Sequence, residues 1–284
     1  MNADYVEIDA WQLGLAAVLI VVNLAISAWL RLGLGKTLGV ASLRMTVQLL
    51  LVGLILNYIF ALEAPLPVIG IGLVMATFAS VSAINRTRRR FVGVYWNSLL
   101  SVLSASFVIT GVAILGILDI QPWFRAQYAI PLLGMILGNI LNGVSLALDR
   151  FMDGVVTDRD RIEGDLALGA SRWEAAHALV NDSVRTGMIP IINSMMVMGV
   201  VNLPGIMTGQ ILAGAAPADA VRYQIVFVFM LAAATALATL GIVLLAFRVL
   251  FSPNHQLRTD RLYTPAQHPA WATWLLRSRT RDSH

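Results

Sequence analysis

Residues 11–30 read WQLGLAAVLIVVNLAISAWL, a mostly apolar run without a single charge. At about 1.5 Å of rise per residue such a run matches the ~30 Å hydrocarbon core of a bilayer. Lipid offers the backbone no hydrogen-bond partners, so the run has to be helical. Working outward, comparable runs recur at roughly 40–60, 65–84, 94–118, 128–148, 187–215 and 222–247. The whole chain of 284 residues is 58% hydrophobic and 13% charged, with a mean hydropathy of +0.75. A soluble domain carries about 25% charged residues, so that class is excluded. The expected fold is an all-α integral membrane protein of about seven transmembrane helices.

The charges give the orientation. Taken from an outside N-terminus, the inner segments hold 18 of the 20 basic residues, with Arg125 and Arg222 the exceptions. The positive-inside rule then predicts an N-out, C-in topology in the cell inner membrane. It also accounts for the net charge of +4 and the pI near 9.8, which in a soluble protein would suggest nucleic acid. Arg86, Arg88, Arg89 and Arg90 read first as a topology anchor. The acidic start, Met1 to Asp9, does not look like a cleavable signal. The absence of cysteine excludes disulfides and thiolate metal sites.

The span at 187–215 is too long for one straight crossing and is expected to be interrupted at Pro204-Gly205, because Pro removes a backbone donor and Gly adds freedom. Broken membrane helices are tolerated where they face protein or a water-filled cavity. The division expected is a polytopic transmembrane domain over 1–250 and a basic tail over 251–284. In that tail Trp271, Trp274, Leu275 and Leu276 beside Arg277, Arg279 and Arg281 suggest a helix lying in the interface.

The longest polar segment is the inner loop 149–186, with eight acidic residues and five arginines. It reads as two helices. The first runs from about Asp158 through Leu168 and stops at Gly169, a natural left-handed terminus. The second opens at Ser171-Arg172-Trp173-Glu174, a capping box. Leu166, Leu168, Trp173 and Ala176 are expected to give this elbow an apolar surface suited to a soluble partner.

Glu163-Gly164-Asp165-Leu166-Ala167-Leu168-Gly169 resembles the coupling loop of ABC-transporter permeases, Glu-Ala-Ala followed by three residues and Gly. Glu163 and Gly169 keep the spacing; Gly164 and Asp165 replace the alanines. The stretches Leu43 to Leu49, Ile130 to Asn139, Asp182 to Arg185 with Ile189-Pro190, and Asn202 to Gly209 are similar to the FetB family. Ala213-Gly214, Pro217 and Tyr223-Gln224 continue the likeness. The resemblance implies a membrane subunit, expected as a homodimer, of an ABC transporter exporting iron, with plant relatives linked to aluminium tolerance. It also implies ATP-Mg on a separate soluble ATP-binding subunit. Gly35-Lys36-Thr37 looks like the end of a phosphate-binding loop. However, Leu30 stands where that loop needs a Gly, so no cofactor is expected on this chain.

Pathway candidates are the polar residues within spans. Arg44 and Gln48 are one turn apart on the second span, as a structural or gating pair, a substrate contact or a snorkelling arginine. Asn139 and Asn142 on the fifth span and Asn193 and Asn202 on the sixth are expected to face one another. The glycine pairs Gly134/Gly138 and Gly205/Gly209 would let the two helices approach. Met135, Met195, Met196, Met198 and Met207 suggest soft-metal ligands but are equally ordinary filler, and no high-affinity buried cage for a hard ion is expected. A secondary transporter driven by an ion gradient and a non-transporting scaffold remain the alternative readings.

Overall fold

The computed structural model describes residues 9–62 and 64–264. The tail helix expected around Trp271 to Arg281 lies outside the described residues. The chain is a helical membrane bundle: α1 (Ala10–Trp29), α2 (Gly35–Leu62), α3 (Pro65–Asn85), α4 (Val94–Gly111), α5 (Ala126–Thr157), α6 (Arg159–Ala167), α7 (Arg172–Val197), α8 (Gly205–Leu212) and α9 (Pro217–Leu250). A π-helical stretch, Val112–Ile117, extends α4. Two short strands, β1 (Arg90–Phe91) and β2 (Leu262–Tyr263), pair antiparallel with Arg90 opposite Tyr263.

Among the described residues six helices are long and apolar enough to cross a membrane: α1, α2, α3, α4 with its extension, α5 and α9. α7 is not among them, because its first fourteen residues carry Arg172, Glu174, Asp182 and Arg185. Its second half and α8 stand where the interrupted sixth span was expected. The interruption is there, and it is wider than a kink: α7 ends at Val197 and α8 starts only after Pro204. Gly199, at φ +84, turns the chain between them.

α5 is the centre of the bundle, packed against α3, α4, α7 and α9. Ile136, Ile140, Val144, Leu148 and Phe151 recur at helical spacing along it and are all fully buried. α1 and α2 pack chiefly on each other at the edge, and most of their apolar side chains are exposed, as suits lipid contact.

The close approach of α5 to α7 does not use the glycines singled out in the sequence. Nothing lies within 4 Å of where a Cβ would sit on Gly138, Gly205 or Gly209. The crossing is instead at Gly143 and Gly187, with Thr235 and Thr239 of α9 closing the third side. Small residues are required there because two backbones come into contact.

Candidate functional site

The elbow is built largely as its local sequence dictates. α6 ends in a Schellman motif: Gly169 N–H donates to Leu166 O at 3.1 Å and Ala170 N–H to Asp165 O at 3.0 Å, with Gly169 at φ +95. α7 opens with the capping box, Ser171 N–H donating to Glu174 Oε2 at 2.7 Å and Glu174 N–H to Ser171 Oγ at 3.3 Å. Those bonds from Ser171 hold the Glu174 carboxyl below its ordinary range.

The segment 149–186 is not a free-standing loop. α5 continues to Thr157, and the second elbow helix is the first half of α7 itself. Ile162 anchors α6 with its side chain fully buried, while Leu168 is 89% exposed at the tip. Ala176 belongs to the buried face and not to the expected apolar surface, because it lies on the side of α7 that packs inward. Trp173 remains partly exposed, edge-on to Phe247 at 5.6 Å. Gly164 is exposed with open space where a Cβ would be.

Two acids of the elbow, Glu163 and Asp165, are already paired. Glu163 accepts from Arg159 at 2.8 Å and Asp165 from Arg161 at 3.3 Å, each one turn back on α6. The Glu163 hydrogen bond and charge raise the pKa of the Arg159 guanidinium. Such exposed pairs contribute little, so an incoming cation can displace the arginine.

A latch surrounds the elbow. Arg150 Nε meets Asp182 Oδ2 at 2.6 Å between α5 and α7. Arg172 N–H donates to His255 Nδ1 at 2.8 Å, and the Arg172 guanidinium lies 5.7 Å above the Phe247 ring. The arginine run is engaged here too: Arg88 N–H donates to Asp149 Oδ1 at 2.8 Å and Arg89 pairs with Asp153 at 3.7 Å. Neither the His255 contact nor the two pairings had a local signal, since each joins residues far apart in the chain.

The pathway candidates scatter. Asn142 accepts from Arg86 at 2.7 Å, a partner on the loop after α3, and Asn139 donates to Met135 O on its own helix. Asn193 and Asn202 are exposed, so the expected meeting of the two asparagine pairs does not occur. α5 and α7 cross at Gly143–Gly187, and Asn193, six residues beyond Gly187, falls on another face of α7 than the crossing. Arg44 and Gln48 share a shallow groove on α2 with Lys36, and among the described residues no ion pair or hydrogen bond engages either side chain.

Two cavities at the break and beyond it were not foreseen. One, of about 600 Å³, opens at the end opposite the elbow and is lined by Asp119, Arg125, Tyr128, Gln210 and Tyr223 among others. The second, of about 450 Å³, lies beside the break. Among the described residues no three histidine, aspartate or glutamate side chains gather as a metal site.

A bundle of long apolar helices around α5, with a capped helix–turn–helix elbow at one end, defines a multi-pass membrane protein. The chain belongs to the family described as "Uncharacterised protein family (UPF0014)", whose profile matches residues 10–251. It is 35% identical over 257 residues to the UPF0014 membrane protein slr1647 of Synechocystis sp., covering 90% of this chain and 97% of that one. It is 32% identical over 255 residues to the "Probable iron export permease protein FetB" of Escherichia coli, covering 88% and 95%. It is 30% identical over 246 residues to "Protein ALUMINUM SENSITIVE 3" of Arabidopsis thaliana, covering 86% and 89%. No solved structure matches the chain.

Proposed function

We propose that this chain is the membrane-spanning permease subunit of an ABC transporter that exports iron, another metal or a metal complex. It works as a homodimer, N-out and C-in, with ATP-Mg bound and hydrolysed on a separate soluble subunit. The observation that carries the reading is the elbow: an exposed tip at Leu168, terminated by Gly169 and followed by the Ser171 cap. Its second helix, α7, runs without interruption from the Ser171 cap into the membrane bundle, which is what a coupling device requires. The name of the Escherichia coli relative supports the iron substrate. Hard metal ions prefer oxygen donors, and the cavity bearing Asp119, Tyr128 and Gln210 is the oxygen-rich one.

The test is co-purification with the cognate ATP-binding subunit, followed by ATPase stimulation across a panel of metals and chelates. Glu163→Arg is expected to abolish the complex, and an unchanged complex would count against the elbow as the docking site. A flat ATPase response to iron would remove the substrate assignment. The broken α7–α8 passage favours a second reading, a transporter driven by an ion gradient. Flux in proteoliposomes holding a proton gradient and no ATPase would establish that one instead.

A further inference from the structure

The helix break encloses a group of side chains that the transporter reading does not use. Four of the eleven methionines of the chain, Met195, Met196, Met198 and Met207, fall within residues 195–207. The fold sends three of them, Met195, Met198 and Met207, to the wall of one cavity of about 450 Å³. They reach it from both sides of the break, two from the end of α7 and one from α8. The opposite wall is α9, and its one polar contribution is Gln224.

Gln224 is only 6% exposed. Its amide nitrogen points to the sulfur of Met198 at 3.9 Å, and its amide oxygen has no hydrogen-bond partner. A buried amide oxygen without a partner is costly, so it calls for an electrophile or donor that the chain itself does not supply. The end of α7 adds further oxygens. Gly199 N–H donates to Asn202 O at 2.9 Å and Val200 N–H to Val197 O at 3.3 Å. Neither therefore reaches back to the carbonyl it would meet in a continued helix, that of Met195, which lines the cavity, or that of Met196, which does not. Discontinuous membrane helices use such freed carbonyls to hold cations.

No carboxylate or imidazole lines this cavity, which sets it apart from the oxygen-rich one at the far end. Thioethers are neutral, soft donors that select Cu(I) over hard divalent and trivalent ions. Plain apolar packing would explain the methionines but leaves the Gln224 oxygen unpartnered. We propose that the cavity between the end of α7, the start of α8 and Gln224 of α9 is a binding site for a soft monovalent cation of the Cu(I) and Ag(I) class. Met195, Met198 and Met207 are its thioether ligands and the Gln224 amide oxygen is its polar anchor. The site goes beyond the iron-export reading and does not depend on an ATPase.

Ag(I) is the probe, since it shares the ligand preference and does not change oxidation state in buffer. The chain has no cysteine, so no thiolate competes for it. Calorimetric titration of the purified full-length chain in micelles with silver nitrate is expected to show one Ag(I) per chain. The double substitution Met195→Leu with Met207→Leu should abolish that event, and Gln224→Leu should weaken it by about tenfold or more. Met45→Leu, an exposed methionine on α2, should leave it unchanged. Methyl-labelled methionine spectra of the unaltered chain give a readout that does not depend on the variants folding. There, Ag(I) should shift the Met195, Met198 and Met207 resonances and not that of Met45. No Ag(I) binding by the unaltered chain would overturn the proposal. So would binding that survives in a folded double variant, or shifts confined to other methionines.

Discussion

The backbone N–H of Arg172 donates to Nδ1 of His255 across 2.8 Å, tying the first residue of α7 to the segment that follows α9. The first N–H groups of a helix have no partner within it, so the imidazole supplies one that Ser171 does not. His255 takes a left-handed φ of +56 to present its ring.

Replacing His255 with alanine should leave the Arg172 amide to water and free the chain after Phe251. The expected cost is about 0.5–1.5 kcal/mol, the worth of one net hydrogen bond. Amide exchange at Arg172 and Trp173 should accelerate while exchange in the middle of α5 is unchanged.

The helix crossing at Gly143–Gly187 should tolerate no side chain. A Cβ on Gly187 would sit 2.8 Å from the Gly143 carbonyl oxygen and from Thr239 Cγ2. Gly187→Val should destabilise the bundle by about 1–3 kcal/mol or more, read by denaturation in micelles. By contrast Gly164→Ala meets open space on an exposed helix and should stabilise α6 by about 0.5–1 kcal/mol.

Arg150 and Asp182 form a short pair, but both side chains are more than two-fifths exposed. Their coupling in a double-mutant cycle should stay at or below about 1 kcal/mol, and exchanging the two residues should recover most of it. A coupling several times larger would mean that the pair is buried in an assembly with another chain.

Glu174 gives the elbow a pH dependence with a definite sign. Because Ser171 lowers the carboxyl's pKa in the folded chain, its contribution is fully present above the ordinary glutamate range. It is lost as pH falls through the lowered folded value. Acid titration of α7 amide exchange should show opening of the first turn in that range, and Glu174→Gln should remove the dependence. An unaltered profile in the variant would assign the titration to another group.

What was legible in the sequence was what neighbouring residues decide. The spans follow from runs of apolar residues, and the Gly169 stop and Ser171 cap follow from residues three or four apart. The division between loop and span at residue 187 was misplaced, because polar residues on α7 mark where it leaves the apolar layer and not where it stops being a helix. Gly143 and Gly187 escaped notice because small-residue pairs identify a helix face only once the register between two helices is known. Asn139 and Asn142 were likewise assigned the wrong neighbours. Gln224, close after Asp219 and Arg222, looks like part of the polar start of α9 until the end of α7, α8 and α9 are brought together.

The uninterrupted course of α7 has a mechanical consequence. Its 26 residues make a rod of about 39 Å between the capped elbow and the break. Gly187, pinned against Gly143, divides that rod into arms of roughly 22 Å and 15 Å. A rod held at such a point acts as a see-saw with an off-centre fulcrum. For a stiff rod a push of about 3 Å at the elbow would emerge at the break as an opposite swing of about 2 Å, and Pro190, three residues beyond the fulcrum, is the point where the short arm can bend instead.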